Sequence, residues 1–289
     1  NVPLPSSTGI NSITSNTGTM RNRGIDLALG YNAIRGDKFD WRIDLNLTHF
    51  KNTITKLPQE EIISGTKKLT VGKSIYDFWM REYAGVNPAN GDALYFRDVL
   101  DASGKPTGER TTTNNITQGS FYYAKSALPD LSGGLTNSFR YGNFDLSFLL
   151  TFQVGGQFYD GNYASLMHPG TYGTAWSTDI LDRWTTPGQV TNVPRLQNAI
   201  ANQSGTSTRF LYDATFVNLK NVSLGYKMPK AWANSVGITG AKVFASLDNG
   251  YLWTKDGVKG MDPQRAVTGV SDYTYPIYRT FTLGLNVNL

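Results

Sequence analysis

Residues 276–289 alternate between apolar and polar side chains almost without interruption. The apolar positions are Ile277, Phe281, Leu283, Leu285, Val287 and Leu289. Successive side chains of a β-strand point to opposite faces, so this segment has one apolar wall and one polar wall, with Arg279 as the only charge on the apolar side. A strand with lipid on one side and a wet lumen on the other has this pattern. A half-buried soluble strand alternates in the same way, so the interpretation depends on the other segments.

Other segments repeat the alternation, and most approach the roughly ten residues that a tilted strand needs to cross a bilayer. The predicted strands, about seven in number, span residues 20–34, 38–52, 132–141, 143–157, 213–226, 240–250 and 276–289. Their polar faces carry full charges such as Asp40, Arg42 and Asp44. A dry sheet core excludes such charges, whereas a watery lumen accepts them. We therefore predict an all-β fold, a transmembrane antiparallel β-barrel.

The connections between these strands alternate between very short and very long. Residues 34–38 and 142–143 form tight turns rich in Gly, Asp and Asn. Residues 53–131, 159–211 and 251–275 lack alternation of bilayer length. Short turns on the periplasmic side and long external loops are typical of outer-membrane barrels.

Composition excludes several classes of protein. Hydrophobic residues make up 39% and mean hydropathy is −0.33, which is low for a helical membrane protein. The absence of Cys excludes disulfides and thiolate metal sites. The net charge of +5 is scattered without a basic stripe along the sequence, so we expect no nucleic-acid partner. Residues 1–7 do not resemble a signal peptide, and about seven strands are too few for the usual closed barrel. We therefore expect a segment of a larger barrel.

Several motifs follow one another along the chain. They are NTGTMRNRGIDL (16–27), VGKS (71–74), GVNPANG (85–91), ALPDLSGGL (127–135), FVNLKNVSLGY followed by Met-Pro (216–229), and residues 249–264. Their order resembles the C-terminal part of the SusC/RagA family of TonB-dependent outer-membrane transporters. Two positions depart from the family pattern: Leu289 stands where Phe is usual, and Gln264 stands where an acid is common.

The resemblance implies that residues 1–289 are the C-terminal segment of a 22-stranded barrel domain whose plug and earlier strands lie outside this chain. It also implies active import of oligosaccharides or oligopeptides across the outer membrane of a Gram-negative bacterium. A SusD-type surface lipoprotein would cover the barrel, and TonB would act through the missing N-terminal part. Import of this kind requires neither enzymatic chemistry nor a cofactor in this segment.

The sequence contains no convincing catalytic or metal-binding constellation. Residues 72–74 (Gly-Lys-Ser) resemble the end of a phosphate-binding loop but lack its earlier glycine. His49 and His168 are far apart and have no ligand spacing around them. Carboxylate pairs at 60–61 and at 179 and 182 stand in polar loops, where solvated acids are the simpler interpretation.

Aromatic residues of the long loops are the candidate contacts for a ligand or a lid. Planar rings stack on sugar faces or peptide side chains and remain tolerable in water. The candidates are Trp79, Tyr123, Tyr163, Trp176 and Trp253. Packing of one loop against another is the alternative for each of them, and the sequence leaves both interpretations open.

Local signals predict four further features. Asn90-Gly91 predicts an external hairpin, and residues 229–236 predict a short helix. Broken alternation predicts a bulge near Lys220, and Asp262-Pro263 predicts a turn.

Two alternative functions remain open at this point. A self-contained outer-membrane enzyme or adhesin barrel would require an even strand count and a functional constellation in its loops. A soluble sugar-binding sandwich would not need lipid-type faces with Tyr and Trp beside the tight turns.

Overall fold

The computed structural model describes residues 2–3, 7, 9, 12–13, 18–197, 204–235, 237–257, 262–265, 268–271 and 275–288. Asn16, Met261 and Leu289 belong to the sequence motifs above but lie outside these residues.

Strands dominate the described chain. In order they are β1 (Val2–Pro3), β2 (Ser12–Ile13), β3 (Thr19–Arg35), β4 (Phe39–Lys56), β5 (Glu61–Ser64), β6 (Lys67–Thr70), β7 (Asp77–Arg81), β8 (Tyr83–Val86), β9 (Ala93–Leu100), β10 (Pro106–Thr113), β11 (Phe121–Ser126), β12 (Leu131–Tyr141), β13 (Phe144–Val154), β14 (Gln157–Asp160), β15 (Leu211–Asp213), β16 (Phe216–Lys227), β17 (Gly240–Thr254), β18 (Val270–Ser271) and β19 (Thr280–Asn288). The α-helices are α1 (Gly161–Leu166) and α2 (Lys230–Ser235), and single 3₁₀ segments span Ile116–Gln118, Thr178–Asp182, Thr208–Phe210 and Pro263–Arg265. None of the described helices has the length and apolar character needed to cross a membrane.

Seven long strands form one antiparallel sheet, here called the wall, in the order β19-β17-β16-β13-β12-β4-β3. All of the strands predicted from alternation are therefore present. β3 and β19 are the two edges, and they do not pair with each other in the described chain. The wall is thus an open segment of a barrel.

The register confirms that alternation separates two faces, because directly paired residues lie on the same side of a sheet. One row crosses all seven strands with apolar side chains, namely Ile34, Trp41, Phe139, Leu146, Leu224, Ala245 and Leu283. The adjacent row is polar throughout, namely Asn32, Arg42, Ser138, Ser147, Ser223, Ser246 and Thr282. We call these sides the apolar face and the polar face.

Asn137 is a polar exception on the apolar face, between Ile43 and Phe148 in the register. Its side chain is 8% exposed, and its Oδ1 accepts a hydrogen bond of 3.0 Å from Nε1 of Trp41. A buried amide without a partner is costly, so this bond explains how the apolar face tolerates an asparagine.

A bulge at Lys220 reconciles the two parities of β16, as predicted. The register of β16 against both neighbours shifts between Leu219 and Asn221. On β17 the extra residues are Asn249, which has a positive φ of 53°, and Gly250. Nζ of Lys220 donates to Oδ1 of Asn249 at 2.7 Å and ties the two irregularities together.

Several predicted strand ends were wrong, and the bulge accounts for two of them. β17 continues to Thr254, so Tyr251 and Trp253 lie on a strand and not in a loop, because the irregularity at Asn249 only changes the parity. β19 begins at Thr280 and not at residue 276, since Nδ2 of Asn249 donates to the carbonyl of Tyr278 beyond the last paired residues. β13 ends before Gly155 and Gly156, whose positive φ angles a strand does not accept.

One end of the wall carries short connections. Gly142, with φ of 57°, makes the tight turn between β12 and β13, and residues 36–38 join β3 to β4. The predicted helix is α2, which follows Pro229 and ends before Gly237 at φ of 79°. This end is the turn end of the wall.

The opposite end carries the long connections, which fold into a loop domain. Its small sheets have the orders β11-β7-β6-β5, β10-β9-β8 and β15-β14-β18, and the hairpin predicted at Asn90-Gly91 joins β8 to β9. Its core contains Phe78, Met80, Ala127, Tyr159, Tyr163, Ala164, Met167, Ile180 and Phe210. The long loops therefore pack together into one domain with a shared core, and they are not separate loops.

Candidate functional site in the loop domain

Trp79 and Tyr123 pair directly across β7 and β11, with ring centroids 4.8 Å apart. The hydroxyl of Tyr123 donates to Oγ1 of Thr70 at 2.7 Å, which fixes the ring. Neighbouring Phe78 and Met80 point to the opposite side and are fully buried. The alternation of β7 therefore places Trp79 on the side of the sheet away from the core.

Cations cover the rings on this side of the sheet. Nζ of Lys68 lies 4.4 Å from the ring of Trp79, and Nζ of Lys73 lies 4.7 Å from the ring of Tyr123. The guanidinium of Arg81 lies 4.3 Å from the ring of Phe121, which is 40% exposed. We call Lys68, Lys73, Trp79, Arg81, Phe121 and Tyr123 the cation–aromatic face. Glu61 forms an ion pair with Lys68 and offsets part of its charge.

Asn52 joins this sheet to the polar face of the wall. Its Oδ1 accepts hydrogen bonds from the backbone N–H of Ile75 at 3.0 Å and from Oγ of Ser74 at 3.2 Å. The side chain is 5% exposed. Hydrogen bonds to a buried side-chain amide hold a loop in one orientation. The cation–aromatic face therefore has a defined position above the polar side of β4.

Lys67 lies on the core side of the same sheet. Its Nζ donates to the carbonyl of Tyr76 at 2.7 Å and lies 3.2 Å from the centroid of the Phe78 ring. Burial lowers the pKa of Lys67 to about 7, and the nearby carboxylate of Asp77 opposes that effect. This amine is enclosed on the core side of the sheet and is not available to a ligand on the cation–aromatic face.

Tyr163 belongs to the core of the loop domain and is 7% exposed. Its hydroxyl donates to Oδ2 of Asp179 at 2.6 Å, and its ring packs edge-on against Phe210 and Tyr212. Burial, followed by the bond to Asp179, raises the pKa of Tyr163. Packing within the loop domain, the alternative to ligand contact, therefore accounts for most of the contacts of Tyr163.

A cleft of about 310 Å³, here called the tyrosine cleft, is lined by Tyr83, Tyr163, Tyr212 and Arg209. Burial raises the pKa of Tyr83 and of Tyr212 to about 12, so both hydroxyls are protonated at neutral pH. The guanidinium of Arg209 lies 5.6 Å from the ring of Tyr83. The cleft thus combines aromatic walls with hydroxyl groups and one cation, a set suited to polar oligomers. The sequence does not single out Arg209, because only the fold brings it beside Tyr83 and Tyr163, which are distant in the chain.

Trp176 and Trp253 lie apart from these groups. Trp176 is 42% exposed, stacks on His168 at 4.9 Å and donates from Nε1 to the His168 carbonyl at 3.0 Å. Trp253 is opposite Val217 on the apolar face, and its ring lies 4.6 Å from that of Tyr251. A pair of exposed rings at the loop end of the apolar face has the position of an interfacial aromatic belt. The fold therefore joins Trp79 to Tyr123 and gives the other candidates different surroundings.

The polar face carries charge pairs toward the turn end. Asp40 forms an ion pair with Arg140, Arg42 pairs with Asp44, and Nζ of Lys242 lies 2.8 Å from Oδ2 of Asp145. A depression of about 610 Å³ opens beside several of these groups. Opposite charges at partly exposed positions are stable in contact with water, which is consistent with a wet lumen on this side.

The predicted turn at Asp262-Pro263 forms a latch between the loop domain and the wall. The carbonyl of Asp262 accepts from the backbone N–H of Arg265 at 3.0 Å, and its Oδ1 accepts from that of Gln264 at 2.9 Å. Oε1 of Gln264 then accepts a hydrogen bond of 2.6 Å from Nδ2 of Asn218 on β16. Asn218 is 2% exposed, so its end of this hydrogen bond is shielded from water.

We expect Gln264→Leu to open this latch at a cost of about 1–3 kcal/mol, because Asn218 would keep a buried amide without its partner. Hydrogen exchange of residues 262–265 measures the opening free energy. The matched control is Asn218→Leu combined with Gln264→Leu, which removes both polar groups and is expected to restore most of the protection. Unchanged exchange in the single variant would show that the bond does not hold the loop.

Known proteins similar to this chain include TonB-dependent receptors. TonB-dependent receptor P3 of Formosa agariphila is 29% identical over 99% of this chain and 30% of its own length. TonB-dependent receptor SusC of Bacteroides thetaiotaomicron is 26% identical over 99% of this chain and 28% of its own length. No protein-family model matches the chain.

Solved structures of the RagAB peptide transporter have the same fold. One superimposes with a TM-score of 0.82 and 26% identity, covering 99% of this chain and 31% of that one. A closed state of the RagAB peptide importer gives a TM-score of 0.81 at 26% identity. The chain spans about a third of the length of these relatives. The wall and the loop domain are therefore similar, along almost every residue, to a segment of SusC- and RagA-type TonB-dependent transporters.

Proposed function

We propose that this chain forms wall strands and external loops of an outer-membrane barrel that imports oligomeric nutrients. The observation that carries the proposal is the apolar face, continuous across seven strands, with a packed loop domain at one end of it only. An apolar face of this kind needs lipid as its solvent, while the polar face needs water. The turn end then faces the periplasm and the loop domain faces outward.

Oligosaccharides or oligopeptides are the proposed cargo. The relatives named RagAB are a peptide transporter, and SusC is a TonB-dependent receptor. The cation–aromatic face and the tyrosine cleft support both classes, because rings and hydroxyl groups contact sugar faces and peptide side chains alike. Import of either cargo proceeds by binding and release and requires no covalent step.

Two protein partners complete the proposal. A SusD-type lipoprotein would cover the loop domain and close over bound cargo, and TonB would supply energy through a plug outside residues 1–289. In this arrangement residues 1–289 are the C-terminal segment of the barrel domain, and the loop domain has to contact both lid and cargo.

Trp79→Ala and Tyr123→Ala are each expected to weaken uptake without abolishing it. An aromatic contact contributes about 0.5–1.5 kcal/mol beyond the area that it buries, which corresponds to a few-fold change in apparent affinity. The measurement is the concentration dependence of oligomer uptake by cells carrying the complete transporter.

Trp232→Ala is the matched control, since Trp232 is 52% exposed on α2 at the turn end. It should leave uptake unchanged. Equal uptake by all three variants and the unaltered protein would remove the cation–aromatic face from the proposed cargo path.

A further inference from the structure

Basic side chains gather on the apolar face of the wall at its loop end. Arg21 and Arg23 of β3 share the parity of Ile25 and Leu27, and the register places Lys51 of β4 directly opposite Arg23. All three basic residues are exposed. Alternation therefore turns three cations to the side of the wall that is otherwise apolar, immediately beyond the apolar band.

Like charges at this spacing repel each other. Directly opposite side chains have Cβ atoms about 5 Å apart and destabilise a sheet when their charges have the same sign. Arg21 is about 7 Å further along the same side of β3. Among the described residues, no carboxylate forms an ion pair with Arg21, Arg23 or Lys51. Within the described part of the chain, the cluster therefore has no carboxylate that would relieve its repulsion.

The cluster also has a concave shape. Arg21, Arg23, His49, Lys51 and Thr53 line a depression of about 430 Å³ together with Gly24 and Ile25. Nδ1 of His49 lies 2.6 Å from the carbonyl of Asp130. A carbonyl only accepts, so Nδ1 is the donor and holds the His49 ring in place.

The position of the basic cluster along the wall indicates which anion can reach it. Under the membrane orientation of the proposed function, this end of the apolar face lies at the outer leaflet, where charged residues cost little because they reach the interface. The glycolipid of that leaflet carries phosphate groups beside its acyl chains. Guanidinium groups bind phosphate through paired hydrogen bonds, and an ammonium adds a point charge. We propose that Arg21, Arg23 and Lys51 bind the phosphates of this glycolipid, with its acyl chains on the apolar residues below.

The test uses the complete transporter purified in detergent and titrated with bisphosphorylated lipid A, with its dephosphorylated form and with inorganic phosphate. We expect the unaltered protein to prefer bisphosphorylated lipid A, and Arg23→Gln combined with Lys51→Gln to bind it at least about tenfold more weakly. The matched control is Lys38→Gln, a cation removed at the turn end, which should bind as the unaltered protein does. If the double variant does not assemble, Arg21→Gln and Lys51→Gln are titrated singly.

Three results would overturn the proposal: equal lipid A affinity in the variants and the unaltered protein, equal affinity for the dephosphorylated form, or saturation by inorganic phosphate at the same concentrations. Uptake of cargo is measured on the same variants. Weaker lipid A binding with normal uptake supports the lipid site alone. Conversely, weaker uptake with unchanged lipid A binding in Trp79→Ala or Tyr123→Ala would show that the cargo site and the lipid site are independent.

Discussion

Leu150→Lys is expected to destabilise the assembled protein by about 2–4 kcal/mol, the cost of a lysine on the lipid side near the bilayer midplane. Leu150 stands in the middle of β13, opposite Leu135 on one neighbour and Leu219 on the other. The lysine ammonium there would lie in the bilayer core without a partner of opposite charge. Refolding of the complete barrel into lipid vesicles across a urea series measures the difference.

Ser147→Lys is the matched control on the same strand. Ser147 lies on the polar face between Ser138 and Ser223, so a lysine at this position would enter the wet lumen. We expect a change of less than about 1 kcal/mol, as for other exposed substitutions. Equal destabilisation by both lysines would contradict the assignment of the faces.

Removal of residues 82–120 is expected to abolish import while the wall still assembles. Arg81 pairs directly with Phe121, so a short glycine–serine turn can join β7 to β11 without strain. The deletion removes β8, β9 and β10, including fully buried Tyr95, and with them one wall of the tyrosine cleft. Loss of many contacts together should lower uptake far more than any single alanine.

Growth on oligomeric nutrients and co-purification of the lipoprotein lid measure this effect. Deletion of residues 102–105, the exposed tip between β9 and β10, is the control and should leave both unchanged. If the larger deletion also leaves growth and lid association unchanged, the loop domain has no part in transport.

The wall could be predicted from the sequence because its strands are long and one side of each must be apolar. The period of two then fixes the facing of every residue, and even the bulge at Lys220 shows as a change of parity between Leu219 and Val222. Strand ends were less predictable, since Asn249 interrupts the alternation of β17 without ending the strand.

The loop domain could not be predicted to the same degree. Its strands are short, and β7 has only five residues, too few for alternation to stand out. Its contacts join distant parts of the chain, as where the backbone N–H of Tyr83 donates to Thr208. The sequence identified Trp79 and Tyr123 as candidates, but the cations over their rings depend on pairing between strands that leave no pattern of their own.

Labelling of single cysteines on intact cells tests the central claim most directly, and the 289 residues contain no Cys that would interfere. The reagent is a maleimide too large to cross the outer membrane. We predict that Ser103→Cys in the loop domain reacts on intact cells, whereas Lys38→Cys at the turn end reacts only after the outer membrane is opened. Equal reaction of both on intact cells, or recovery of the complete protein in the soluble fraction, would contradict a membrane wall with external loops.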